Sequence, residues 1–219
     1  INCALTIQIR EDDFYHKERK SLRLSVDDYA NFSTACSNLK IPFGLALGPI
    51  ENVDWILDSE IKPDFLKLLG ITTNNLNSID IINQKFMCQK YFSVGLSSQN
   101  FIANEIIPRM NENDMLIHTS LSHLPEDQNL IDINVLESYG KNVCFGQHSI
   151  NHEVVFTAIG AGAKKIFTYI GDKRLQLPDL HHAIDLCEAE NFFNQCLSCF
   201  SAMKINSSEN KVSKIDFIG

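Results

Sequence analysis

The sequence predicts an α/β fold, a (β/α) barrel of the TIM type, and three observations carry that reading. Short apolar runs of strand length alternate along the chain with longer segments of helical period. The runs are continuously apolar rather than alternating, as in strands buried on both faces of a parallel sheet. No Gly-rich phosphate-binding fingerprint follows the first run, and 219 residues suit one barrel domain, so a closed barrel is favoured over an open doubly wound sheet.

Seven runs are expected as strands: Ala4–Ile9, Phe43–Gly48, Phe65–Gly70, Tyr91–Leu96, Met115–Ser120, Val143–Gln147 and Lys165–Ile170. Ser25 can cap a helix over Val26–Leu39, with Asp27 and Asp28 favourably placed against the dipole of its first turn. Further helices are expected over Asn75–Gln84, Ser97–Met110, Asn129–Tyr139, His152–Gly162 and Leu180–Met203, with Ser97 and Asn129 as caps. Strand–helix repetition at this pitch implies right-handed parallel crossovers. Arg10 to Arg23 mixes both charge signs and reads as a solvated loop; Asn206–Lys211 reads as another. Domain organisation is thus a barrel over 1–205 and a tail over 206–219.

Apolar residues at 44% are enough for a sizeable core, and the net charge of −8 opposes nucleic-acid binding, which needs clustered Lys and Arg. No apolar run reaches the ~18 residues of a membrane span. No signal-peptide pattern is read, and because the chain opens on Ile1 rather than Met, its native start is expected to differ. Seven cysteines without regular spacing argue against a disulfide framework and for a reducing cytoplasm. Cys196 and Cys199 form a C-x-x-C inside an expected helix with no second ligand pair nearby, so packing is favoured over metal or redox chemistry.

In a barrel, function gathers at the C-terminal ends of the strands. Those ends carry Gln8, Lys67, Ser93, His118, Ser120, Gln147, His148, Ser149 and Tyr169, a polar mixture suited to a binding pocket. The plainer alternative is that some of them only satisfy backbone groups at loop starts. Lys67 interrupts an apolar strand, so it either points into a polar mouth, where it can hold phosphate or carboxylate, or snorkels outward. His148 suits a metal ligand, a general acid–base group or a hydrogen-bonded structural histidine, and His118 occupies the equivalent position on the preceding strand. His123, His152, His181 and His182 are individually weak candidates.

The order and spacing of several segments resemble the barrel of sialic acid (nonulosonic acid) synthases. Met115-Leu-Ile-His-Thr-Ser followed by Pro125-Glu-Asp-Gln-Asn-Leu resembles that family's L-H-C-T-S … P-x-x-x-N-L, and Phe145-Gly-Gln-His-Ser its Y-S-D-H-T. Ala158-Ile-Gly-Ala-Gly-Ala-Lys-Lys-Ile resembles A-V-A-L-G-A-x-x-I, and Ser93-Val-Gly-Leu-Ser resembles S-T-G-M-S. Lys67 and Asn75 keep the spacing of K-I-x-S-x-x-x-T-N. The resemblance implies an enzyme that condenses phosphoenolpyruvate with an N-acyl sugar, using a divalent metal, Mn²⁺ or Mg²⁺. It implies Lys67 holding phosphoenolpyruvate with Ser93 and Asn75, and His148 as a metal ligand, so Lys67 and His148 are expected as the catalytic residues; His118, Ser120 and Gln147 are expected near substrate from their strand-end positions.

Four positions depart from the pattern. The second metal histidine of E-K-H-F-T falls on Tyr169 and its Glu on Phe167; the Lys of K-F-Q falls on Thr6, and the Asp before the metal histidine on Gln147. A single imidazole is a poor site for Mn²⁺ or Mg²⁺, so no tightly bound divalent ion is expected at His148. The sequence also holds no counterpart of the family's C-terminal antifreeze-like domain, or of its first strand and following helix. Two readings follow: a transferase with a remodelled site, or a non-catalytic homologue binding a ligand or a partner protein. Seven strands would leave two unpaired edges. The tail Val212–Gly219 is β-prone and is expected to fill the gap between Ala4–Ile9 and Lys165–Ile170; otherwise the open edge is the candidate contact for a homo-oligomer.

Overall fold

The computed structural model describes residues 2–9, 23–48, 53–59, 61–175, 179–203 and 216–218. The chain is α/β, with parallel strands and intervening helices, and its contacts define two compact units. One comprises residues 4–115; the other comprises residues 116–219 together with residues 1–3.

In the first unit the parallel order is β1 (Asn2–Ile9), β2 (Phe43–Leu47), β3 (Phe65–Leu68), β4 (Gln89–Ser93). Helix α1 (Val26–Leu39) starts on the expected Ser25 cap as a full capping box: the Ser25 hydroxyl accepts from the Asp28 N–H and the Asp28 carboxylate accepts from the Ser25 N–H. The α1 helix ends on Lys40 in the left-handed conformation and buries Tyr29 and Cys36. Next come α2 (Val53–Asp58), α3 (Gly70–Thr73) and α4 (Leu76–Lys85), the last capped by Asn75. Ser98, not Ser97, caps α5 (Gln99–Phe101). That helix continues as a π-helical turn (Ile102–Ile106) and a 3-10 turn (Ile107–Arg109). Pro108 has no N–H to give the ladder, which explains the break in α-helical pattern there.

The second unit holds β5 (Met115–Thr119), α6 (Asp132–Glu137), β6 (Val143–Gly146), α7 (Glu153–Gly160), β7 (Ile166–Phe167), β8 (Ile170–Gly171), β9 (Ile184–Asp185), α8 (Ala189–Ala202) and β10 (Asp216–Ile218). The tail strand β10 pairs in parallel with β7, Phe217 opposite Ile166 and Ile218 opposite Phe167. Its other neighbour in the strand order is β1, whose opening residues belong to this unit. Residues 212–215 and Gly219 of the tail lie outside the described residues, as do residues 10–22 and 206–211 of the two expected loops.

Three further expectations are corrected. Asn129 is no N-cap: at φ 47° it closes a 3-10 turn (Pro125–Gln128), and α6 starts only at Asp132. The run Lys165–Ile170 is split into β7 and β8, and β8 leaves the main sheet to pair with β9. The helix expected over Leu180–Met203 begins at Ala189, because Ile184 and Asp185 are used as that partner strand. Among the described residues no helix is long and apolar enough to cross a membrane.

Candidate functional site

In the first unit, register fixes which side chains share a face. Ala46, Lys67 and Tyr91 are aligned across β2, β3 and β4, so Lys67 lies on the same face as Phe65, Tyr91 and Ser93. Gln8, opposite Ala46, extends that face onto β1. Lys67 is half-buried and Ser93 is buried. On this face Gly44 makes room for an aromatic ring: a Cβ there would overlap Phe65, which meets Tyr91 edge-on at 5.6 Å. Asn75 is exposed, and its side-chain oxygen accepts from the Ser78 N–H as the α4 cap. The opposite face carries Leu66, Leu68 and the fully buried Lys90, whose ammonium donates to the Cys88 carbonyl at 3.2 Å.

In the second unit, His118 and Phe145 share one face and Thr119 and Gly146 the other. His118 is buried, and its Nε2 lies 2.7 Å from the Gln128 carbonyl, which only accepts; Nε2 therefore carries the proton. Gln128 in turn donates to the Ser122 and Leu124 carbonyls, so His118 anchors the loop after β5. Ser120 accepts from the Ser122 N–H in the same loop. Gln147 is fully buried and donates to the Ser149 carbonyl, while its Oε1 is buried without a hydrogen-bond partner.

His148 is half-buried. Its ring meets Tyr169 edge-on at 5.4 Å and stacks on His182 at 5.1 Å. The partner ring at the expected second metal position is thus a phenol, and the stacked imidazole comes from His182, in sequence only a weak candidate. His123, His181 and His182 bring ring nitrogens together: His181 Nε2 lies 3.1 Å from His123 Nε2 and 3.3 Å from His182 Nδ1. The Tyr169 ring stands edge-on to His182 at 4.8 Å. His152 Nε2 donates to the His182 carbonyl at 3.2 Å. Burial, followed by the neighbouring imidazoles of His181, His123 and His152, pulls His182 down to about 4 against a partial pull upward from Asp179; His182 is therefore neutral at pH 7. Burial also lowers His152.

The signal for this cluster was present in composition: six of the seven histidines fall between His118 and His182. The pair His181–His182 was concealed at the start of an expected helix that begins only at Ala189. At Cys196 burial pushes the thiol up to about 12, the opposite of what a redox or metal cysteine needs. Concavities among the described residues also lie elsewhere. One of about 850 Å³ lies between α7 and α8 beside His152, Phe156 and Phe192; another, of about 490 Å³, lies at the start of β2 beside Lys40, Lys62 and Asp64.

No protein-family model and no curated protein sequence matches the chain. Solved structures do resemble it. N-acetylneuraminic acid (sialic acid) synthetase from Leptospira borgpetersenii, in complex with citrate, aligns with a TM-score of 0.81 at 18% identity, over 96% of this chain and 77% of that one. A putative spore coat polysaccharide biosynthesis protein E from Chromobacterium violaceum aligns at 0.78 and 12% identity, over 96% and 68%. A truncated 3-deoxy-D-arabino-heptulosonate 7-phosphate synthase from Thermotoga maritima aligns at 0.70 and 10% identity, over 83% and 74%. At these identities the likeness is one of fold.

Proposed function

We propose that this chain is a divergent barrel of the phosphoenolpyruvate-dependent sialic acid synthase type, one that keeps the anion-binding side of that site at Lys67, Asn75 and Ser93 and lacks its two-imidazole metal pair. The TIM-type form of the fold is part of this proposal, supported by the likeness to barrel-like synthases. The observation that carries the functional reading is Lys67 on the same sheet face as Ser93. A lysine there offers a point charge to a phosphate or carboxylate, which a half-buried position strengthens relative to open solvent. His118, Ser120 and Gln147 form the polar supports of the second unit.

The divalent ion that the family uses does not fit at His148. A phenol stands where the resemblance places the second imidazole, and Mn²⁺ or Mg²⁺ want several oxygen or nitrogen donors. No condensation step is therefore routed through such an ion. The second reading, a non-catalytic homologue that binds a small sugar, phosphoenolpyruvate or a partner protein, is favoured by Phe167 and Tyr169, which remove a carboxylate and an imidazole at once.

Phosphate release from phosphoenolpyruvate, assayed with a panel of N-acyl hexosamines and Mn²⁺, separates the two. Release that needs the sugar supports the transferase. Phosphoenolpyruvate binding without release supports the non-catalytic homologue, and absence of both removes the phosphoenolpyruvate reading.

A further inference from the structure

We infer that His123, His181 and His182 form a binding site for a zinc-type transition-metal cation, made of ligands other than His148 and independent of the phosphoenolpyruvate reading. Their facing nitrogens all lie within 4.8 Å of one another. Two of the three separations, 3.1 and 3.3 Å, match ligands on a shared ion: bonds of 2.0–2.1 Å at a tetrahedral angle put neighbouring nitrogens about 3.3 Å apart.

Protons alone satisfy this contact poorly. His181 Nε2 faces both other nitrogens, yet a neutral imidazole nitrogen has either one proton or one lone pair. It can therefore make only one good hydrogen bond of the two. A cation accepts a lone pair from each ring and resolves the conflict.

His123 is already set for that role. Its Nδ1 lies 2.7 Å from the His148 carbonyl and must donate, so neutral His123 turns the Nε2 lone pair toward His181. A backbone carbonyl holding the second nitrogen of a ligand histidine is the usual support of a metal site. The loop carrying that carbonyl is tied back to His123, whose own carbonyl accepts from the Ile150 N–H at 3.0 Å and from the Ser149 hydroxyl at 3.3 Å. His152 holds the His182 backbone from the other side.

His182 is fully buried, and its Nε2 has no hydrogen-bond partner, so the ring's only polar approach is through Nδ1. His181 is exposed, which gives an ion a route in and leaves a fourth coordination position toward solvent. An all-imidazole donor set suits Zn²⁺, Cu²⁺, Ni²⁺ or Co²⁺ and is a poor match for Mg²⁺ or Mn²⁺.

The test is calorimetric titration of the chelator-stripped chain with Zn²⁺ alone and with Mg²⁺ alone, alongside His181→Ala and His123→Gln. The wild-type chain should take up one Zn²⁺ and melt at a higher temperature with it, and should show no comparable Mg²⁺ binding. Losing one direct ligand should weaken Zn²⁺ by about 100-fold or more, since even a supporting contact is worth 10–100-fold. His181 is exposed, so its variant should fold; if His123→Gln does not, the Co²⁺ spectrum of the wild-type chain gives a second readout, with tetrahedral d–d bands and no thiolate charge transfer. The inference is overturned by absence of stoichiometric Zn²⁺, by unchanged affinity in His181→Ala, or by a thiolate band, which would put the ion on cysteines.

Discussion

The imidazole of His123 donates through Nδ1 to the backbone carbonyl of His148 at 2.7 Å, and that bond fixes which nitrogen His123 presents to His181. The residue that resembles a family metal ligand thus acts on the histidine cluster through its main chain. Its ring is left against Tyr169 and His182.

Replacing that phenol is informative. Tyr169→His restores two imidazoles at the positions that the family resemblance pairs. Mn²⁺ affinity, followed by electron paramagnetic resonance, should rise at least about 10-fold over the wild-type chain, because a second protein ligand turns a monodentate contact into a chelate. An unchanged affinity would show that the backbone at 148 and 169 no longer suits a shared ion.

Lys67→Met keeps the length of the stem and removes the charge. Charge-assisted contacts are worth about 1.5–3 kcal/mol, so phosphoenolpyruvate binding should weaken by about 10- to 100-fold in a calorimetric titration. Equal affinity in the two proteins would show that Lys67 does not hold the anion.

Gly44→Ala places a methyl group in the Phe65 ring. Overpacking of this kind costs about 1–3 kcal/mol, read as a lower denaturant midpoint with an unchanged slope. The double variant Gly44→Ala/Phe65→Leu should recover part of that loss, since the smaller side chain vacates the space.

The tail strand can be tested at its backbone. Phe217→Pro removes a donor from the middle of β10, where the chain pairs with Ile166 and Phe167. An orphaned acceptor costs about 1–3 kcal/mol, and the loosened edge should also promote self-association in analytical ultracentrifugation. Unchanged stability would mean that β10 adds little to the sheet.

His182 makes the metal-free chain sensitive to acid. Its folded pKa of about 4 lies below the ordinary 6.5, so the unfolded chain binds the proton more readily between those values. The contribution to stability is fully present above about pH 6.5 and is lost as pH falls toward 4, by about 3 kcal/mol for this group. His181, His123 and His152 face it and add to the effect, while Asp179 opposes it. In EDTA, His182→Phe should flatten the stability curve across that window; a curve as steep as wild type would assign the acid sensitivity elsewhere.

Much of the fold was legible in the amino-acid sequence because it rests on local physics. The apolar runs that become β1 to β7, the Ser25–Asp28 capping box and the β-prone tail each follow from periodicity, capping chemistry and backbone propensity within a few residues. Lys67 was legible in the same way, as a charge in an apolar strand. What the sequence could not state was where Leu180–Glu188 goes, because helical propensity there loses to a distant partner, the pairing of Ile184 with Ile170. With that pairing, His181 and His182 are carried to His123, 58 residues away from His181. Each imidazole by itself is an ordinary surface or core residue; only the tertiary structure, by bringing three ring nitrogens within 4.8 Å of one another, makes them a candidate site.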